Sequence, residues 1–166
     1  VSDFYDQEAA RDTAILVRAT AVFGLLLTAI VHVIESNEYF FADGEPMYIA
    51  WLFMVLIAGA LVTAALLLVN PSWTVWTFAE SLCGAAIIAY IVSRSFGFPD
   101  ASHLKGHWDD EWGNVALLVE GITVLVAAFA LFQLRSDHHR ERLAVTTSSA
   151  ESMLGVATTA VVDNLA

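Results

Sequence analysis

The amino-acid sequence predicts an all-α fold: a membrane-embedded four-helix bundle with an additional C-terminal amphipathic helix. Three observations lead to it. The 166 residues are 58% hydrophobic and only 15% charged, with a mean hydropathy of +0.66, too oily for a water-soluble domain. The apolar residues are gathered into runs at about 13–34, 47–69, 73–92 and 112–134, each near the ~20 residues that cross a bilayer. Aromatic residues cluster where these runs end, as amphipathic rings do at a membrane–water interface.

Taken in order, residues 1–12 form a polar N-terminal segment, with Phe4 and Tyr5 suggesting a short surface helix that leads into the membrane. The first run follows acids and exceeds a signal-peptide core, so it is expected to be a retained span. The turn Asp43-Gly44-Glu45-Pro46 precedes the second span, and Asn70-Pro71-Ser72 closes it, because proline cannot continue a helix. The third span runs into Ser93-Arg94-Ser95. Tyr48, Trp51, Trp73, Trp76, Tyr90, Trp108 and Trp112 are read as interfacial anchors. Small residues recur every fourth position at Thr20, Gly24 and Thr28, at Ala60 and Ala64, and at Ser81, Ala85 and Ala89, a spacing that lets helix backbones approach inside lipid. Residues 135–166 form a tail. In it Ser148 and Glu151 have capping-box spacing, and Ala150, Met153, Leu154, Ala157, Val161 and Leu165 share a helical face, predicting an amphipathic helix over 149–165 that docks on a surface or a partner.

Charge narrows the function. A net charge of −11 excludes nucleic-acid binding, which needs a basic footprint. The single cysteine, Cys83, excludes an intrachain disulfide and a Cys-based zinc or iron–sulfur site, and beside Gly84 and Ala85 it reads as a small residue at a helix contact. Arg11, Arg18, Arg135, Arg140 and Arg142 fall on the side of the termini, against Arg94 and Lys105 opposite. The expected location is therefore the cytoplasmic (inner) membrane, multi-pass, with both termini cytoplasmic.

Ionisable residues at membrane depth are costly, so each of Arg18, His32, Glu80 and Glu120 requires a reason. Arg18 and Glu80 lie about 8 and about 10 Å into spans that start from the same side. They are read as an intramembrane ion pair, with one end of a proton or ion path as the alternative. His32 and Glu35 share a helix face, and Glu120 lies about 12 Å into the fourth span from the outer side, where its side chain can approach His32. A histidine satisfied by a carboxylate or a backbone carbonyl is the plain reading. The functional one is a proton or divalent-metal site at the outer end of the bundle, with His103, His107 and Asp109 of the second outer loop joining His32, Glu35 and Glu120 through nitrogen and oxygen ligands. His103 and His107 have i, i+4 spacing, interrupted by Gly106. A haem held between two histidines of one subunit is not expected, since only His32 lies inside an apolar run. No P-loop, GxSxG or HExxH motif occurs.

Several stretches together resemble small four-span membrane proteins of actinobacteria and haloarchaea. They are Ala29-Ile30-Val31-His32, Glu38-Tyr39-Phe40, Tyr48-Ile49-Ala50-Trp51-Leu52-Phe53, Tyr90-Ile91-Val92-Ser93-Arg94-Ser95-Phe96-Gly97-Phe98-Pro99, and Glu111-Trp112-Gly113 with Leu118-Val119-Glu120-Gly121. In that group the third span ends in a Ser-Arg-Thr-x-Gly-Leu-Pro-like motif, from which Ser95-Phe96-Gly97-Phe98 is a mild departure. The resemblance covers about residues 13–134 and implies that His32, Arg94 and Glu120 belong to the group's pattern. It implies the fold and transfers no chemistry.

Small size, the lack of a catalytic motif, the packing faces and the amphipathic tail make a non-catalytic accessory or structural subunit of a larger membrane assembly, respiratory or redox-linked, the leading expectation. Its partners are then the lipid bilayer and other membrane subunits or further copies of itself. A metal- or proton-handling membrane protein and a small solute carrier, the latter with Arg18 and Glu80 lining a central cavity, are the alternatives.

Overall fold

The computed structural model describes residues 2–41 and 46–163. It contains four α-helices: α1 (Ser2–Phe41), α2 (Met47–Val69), α3 (Trp73–Phe96) and α4 (Glu111–Asp163), with a single 3₁₀ turn at Ser102–Leu104 between the last two. Each helix holds a stretch long and apolar enough to cross a membrane: Glu8–Asn37, Met47–Val69, Trp73–Phe96 and Glu111–Ser136, with hydropathies of 2.2, 2.8, 1.7 and 2.5. The chain is a multi-pass membrane protein. Its outward faces agree, since Leu125, Phe132 and Val55 are largely exposed, as side chains solvated by lipid tails are.

Local chemistry sets the ends. Pro46, at φ −71° and ψ 119°, precedes α2, where a missing N–H costs nothing. Asn70 stops α2 because the following Pro71 disfavours helical geometry before it, and its N–H closes the last turn on the Leu66 carbonyl at 2.7 Å. Gly97 ends α3 at φ 81°, in the left-handed region that glycine enters without strain. A Cβ there would meet the Ser102 backbone at 3.1 Å. The helices overrun the expected spans: α1 already begins at Ser2 rather than after a separate surface helix, and it continues past residue 34 to Phe41.

The chain divides into two compact units, Val1–Leu131 and Phe132–Ala166. In the first, α1 packs on α2 and α2 on α3, while α4 closes the ring against α1 at Gly24 and Thr123 and against α3 at Tyr90 and Gly113. The interior is built from small side chains, with Ala21, Ala50, Ala60, Ala79, Cys83 and Ala127 fully buried. The buried threonines Thr63 and Thr123 return their hydroxyls to Gly59 and Val119 of their own helices, at 2.6 and 2.8 Å, so they cost no unsatisfied group. In the second unit the backbone is helical through Asp163. The amphipathic helix expected over 149–165 is not separated there from α4, and the side chains on which that expectation rests lie outside the described residues.

This ring corrects one expectation. Arg18 and Glu80 are half-buried and form no ion pair. Depth was matched, but α1 and α3 sit diagonally across the ring, with α2 and α4 between them. The small-residue faces divide likewise: Gly24, Thr28, Ala60 and Ala64 are buried, whereas Ser81, Ala85 and Ala89 are exposed. Trp76 is buried, while Trp51, Trp73, Trp108 and Trp112 are exposed.

The connection after α3 is a folded cap. The Gly106 N–H donates to the Arg94 carbonyl at 2.8 Å and the Ala101 N–H to the Phe98 carbonyl at 3.0 Å. Ala101 and Leu104 bury themselves against Ile49, flanked by Tyr39, Phe53 and Phe98. Tyr48 on α2 donates its hydroxyl to the Pro99 carbonyl at 2.6 Å. Tyr48→Phe is expected to lower stability by at most about 1 kcal/mol, the net worth of a hydrogen bond near solvent, seen as a small drop in thermal midpoint in detergent; an unchanged midpoint would show that the cap is held by burial alone.

Candidate functional site

Beneath this cap the one histidine of the spans is held from both sides. His32 is 6% exposed. Glu35, three residues along α1 and so on the same face, places Oε2 2.8 Å from Nδ1. Glu120 on α4 places Oε1 2.8 Å from Nε2, and is itself 1% exposed. The ring lies 5.3 Å from Phe53 of α2 between centroids, and Tyr39 packs on Phe53 at 5.4 Å.

Proton counting gives the charge of this trio whatever the tautomer. Each of the two contacts is a hydrogen bond only if it holds one proton. Two protons among one imidazole and two carboxylates leave either an imidazolium between two carboxylates or a neutral imidazole between one carboxylate and one carboxylic acid. Both arrangements carry a net charge of −1. Moving a proton along the chain Glu35–His32–Glu120 leaves that charge unchanged. The trio can therefore shift a proton internally, and can shed its uncompensated charge only by gaining a third proton or a partner.

A second polar pair stands nearby. Arg94, near the end of α3, is 7% exposed; its Nη2 donates to Asp110, and its guanidinium lies 4.9 Å from the centroid of the Tyr90 ring, a cation–π contact. Asp110 also serves as the cap of α4, accepting the Gly113 N–H at 3.2 Å. Gly113 is needed there, since any Cβ would strike the Tyr90 ring. The Arg94 Nε donor is buried without a partner, as is the Thr28 hydroxyl.

The trio and the pair line one cavity of about 360 Å³. All four helices reach it. The small residues Ala85, Ala86, Ala89, Gly113 and Ala116 leave the space, so the face of α3 read as a packing stripe makes a void instead of a helix contact. Leu52 and Val55 of α2 and Ala85 and Ala89 of α3 line it and are also exposed. The cavity thus borders exposed surface between α2 and α3, within their membrane-spanning stretches. His32, Arg94 and Glu120 all lie on its wall.

Of the six expected metal ligands, the structure brings together His32, Glu35 and Glu120. His103, His107 and Asp109 are exposed on the cap and outside the cavity lining. Among the described residues no group of three or more His, Cys, Asp and Glu side chains is arranged to hold a metal ion. The reason is visible at His32, whose two nitrogens point to carboxylates on opposite edges of the ring and do not share a centre with them. The sequence does not by itself pair Arg94 with Asp110: Arg94 counts there as one of the basic residues opposite the termini. The available signal was Tyr90 and Arg94 at i, i+4 spacing at the end of an apolar run. The chain matches no family model, no curated protein and no solved structure.

Proposed function

We propose that this is a proton-handling membrane protein whose working centre is the trio Glu35, His32 and Glu120. The observation that supports this reading is the double engagement of His32, with a carboxylate 2.8 Å from each ring nitrogen. A histidine kept only for helix register needs one acceptor. A second carboxylate leaves a net negative charge at membrane depth, which is expensive and is relieved by taking up a proton. Glu120 lies deepest and the Glu35 side chain is more open, 14% against 2% exposed, so the chain leads from the bundle interior toward the capped end. With the termini in the cytoplasm of a cell bounded by an inner membrane, as the arginine distribution favours, the capped end faces outward and the trio exchanges protons with that side. The accessory-subunit and solute-carrier readings leave this extra charge unexplained. A place in a larger assembly is compatible with it.

Infrared difference spectroscopy of the purified protein, stepped from mildly alkaline to mildly acidic pH in H₂O and D₂O, tests this. A protonated-carboxyl band that grows on acidification, shifts in D₂O and is missing in Glu120→Gln is the expected result. If no protonated carboxyl belonging to Glu35 or Glu120 forms at any pH, the trio is a fixed structural contact and the proposal fails.

A further inference from the structure

The cavity holds two recognition elements, one that accepts hydrogen bonds and one that donates them. One wall carries the trio, with its net −1 charge; another carries Arg94, nine-tenths buried and paired with Asp110, which lines the cavity beside it. An organic anion would meet the carboxylates of the trio and of Asp110, and an organic cation would leave the Arg94 donors unused. A neutral molecule that donates at one end and accepts at the other satisfies both. The remaining lining is apolar and aromatic, with Phe53 and Tyr90 for a ring to lie against. Its volume of about 360 Å³ falls in the ~300–1,000 Å³ range of small-molecule sites. The exposed border between Leu52 and Val55 on α2 and Ala85 and Ala89 on α3 admits a ligand from the bilayer and leaves room for a tail.

We propose that this cavity binds the ring of a lipid-soluble quinol, one hydroxyl donating to the trio and the oxygen at the far end of the ring accepting from the Arg94 guanidinium. A quinol suits the site better than the matching quinone, whose two carbonyls can only accept and would set one oxygen against the carboxylates. The inference uses the charge of the trio but does not require that the trio exchange protons with solvent, so the two readings fail separately.

Calorimetric titration of the detergent-solubilised protein, corrected for empty micelles, tests this with three probes of nearly one shape. They are menadiol kept reduced under anaerobic conditions, menadione, and 2-methylnaphthalene, which lacks both oxygens. Menadiol is expected to bind about ten-fold or more tighter than 2-methylnaphthalene, the scale of hydrogen bonds to charged groups, with menadione between them. Arg94→Met should erase most of that difference. Because this substitution also strands Asp110, Ala89→Phe, which fills the cavity from its lipid-exposed side, provides an independent variant and should abolish binding of all three probes while the thermal midpoint holds. Equal affinity for menadiol and 2-methylnaphthalene would mean an acyl-chain crevice and overturn the proposal, as would menadiol binding that survives Ala89→Phe. Menadiol binding without an infrared carboxyl band would sink the proton-handling reading and leave this one standing; the band without menadiol binding would do the reverse.

Discussion

Glu120→Ala is expected to destabilise the bundle by about 3 kcal/mol, whereas Glu120→Gln should cost no more than about 1 kcal/mol. Glu120 is 1% exposed and bonds to an imidazole on a different helix, 88 positions away in the chain. Truncation removes the tie between α1 and α4, leaves Nε2 without its partner, and opens a void at a fully buried position. Glutamine keeps a side chain of the same length that can accept from or donate to the ring, and it removes one charge from a trio that has one too many. The two variants separate the structural from the electrical part of the residue. Reversible unfolding in mixed micelles, followed by helical circular dichroism, measures both. If glutamine is as damaging as alanine, the charge of Glu120 itself holds the helices together and the excess-charge argument is wrong. If neither substitution matters, His32 draws its stability from Glu35 alone.

The contrast between what the sequence shows and what it hides follows the physics of each feature. Spans are legible because a bilayer demands about 20 apolar residues in a row, and α2 keeps its expected ends at residues 47–69. The pairing of His32 with Glu35 is legible because three residues along a helix is a fixed geometric relation. Contacts between helices need depth and azimuth together. Depth can be counted at 1.5 Å per residue, and it brings His32 to the neighbourhood of Glu120. The same counting also matched Arg18 with Glu80, two residues that the ring order keeps apart. Azimuth depends on which helices are neighbours, and nothing in the hydropathy pattern of four similar spans says that α1 adjoins α4 and not α3. The Arg94–Asp110 pair was hidden for another reason. Both residues stand at the ends of apolar runs, where charge is ordinary, and only the fold of the cap brings Asp110 back over α3. The cavity was the least legible feature, because the alanines that create it read equally well as a close helix contact.

The neighbourhood of α1 and α4 is itself open to test at Gly24. Its Cα faces the Thr123 side chain so closely that a Cβ would overlap the threonine hydroxyl. That hydroxyl cannot swing away freely, since it donates to the Val119 carbonyl at 2.8 Å and Thr123 is 1% exposed. Gly24→Ala is therefore expected to destabilise by about 2 kcal/mol, in the range of overpacked cores, although alanine is the better helix former. The strain should reach the site. Thr123 is one helical turn from Glu120, and Gly24 is two turns, about 12 Å, from His32, so helices pushed apart here lengthen the His32–Glu120 hydrogen bond above. Thr123→Ala removes the overlapping atom. In the double variant the two alanines should fit, making it more stable than the sum of the single effects predicts by about 1 kcal/mol or more. It should also restore the carboxyl infrared band to its wild-type position if Gly24→Ala has displaced it. Strict additivity would mean that the two helices do not meet at these residues. The path from Glu120 to His32 would then lose the contact that sets its length, and with it the basis for treating the three side chains as one centre.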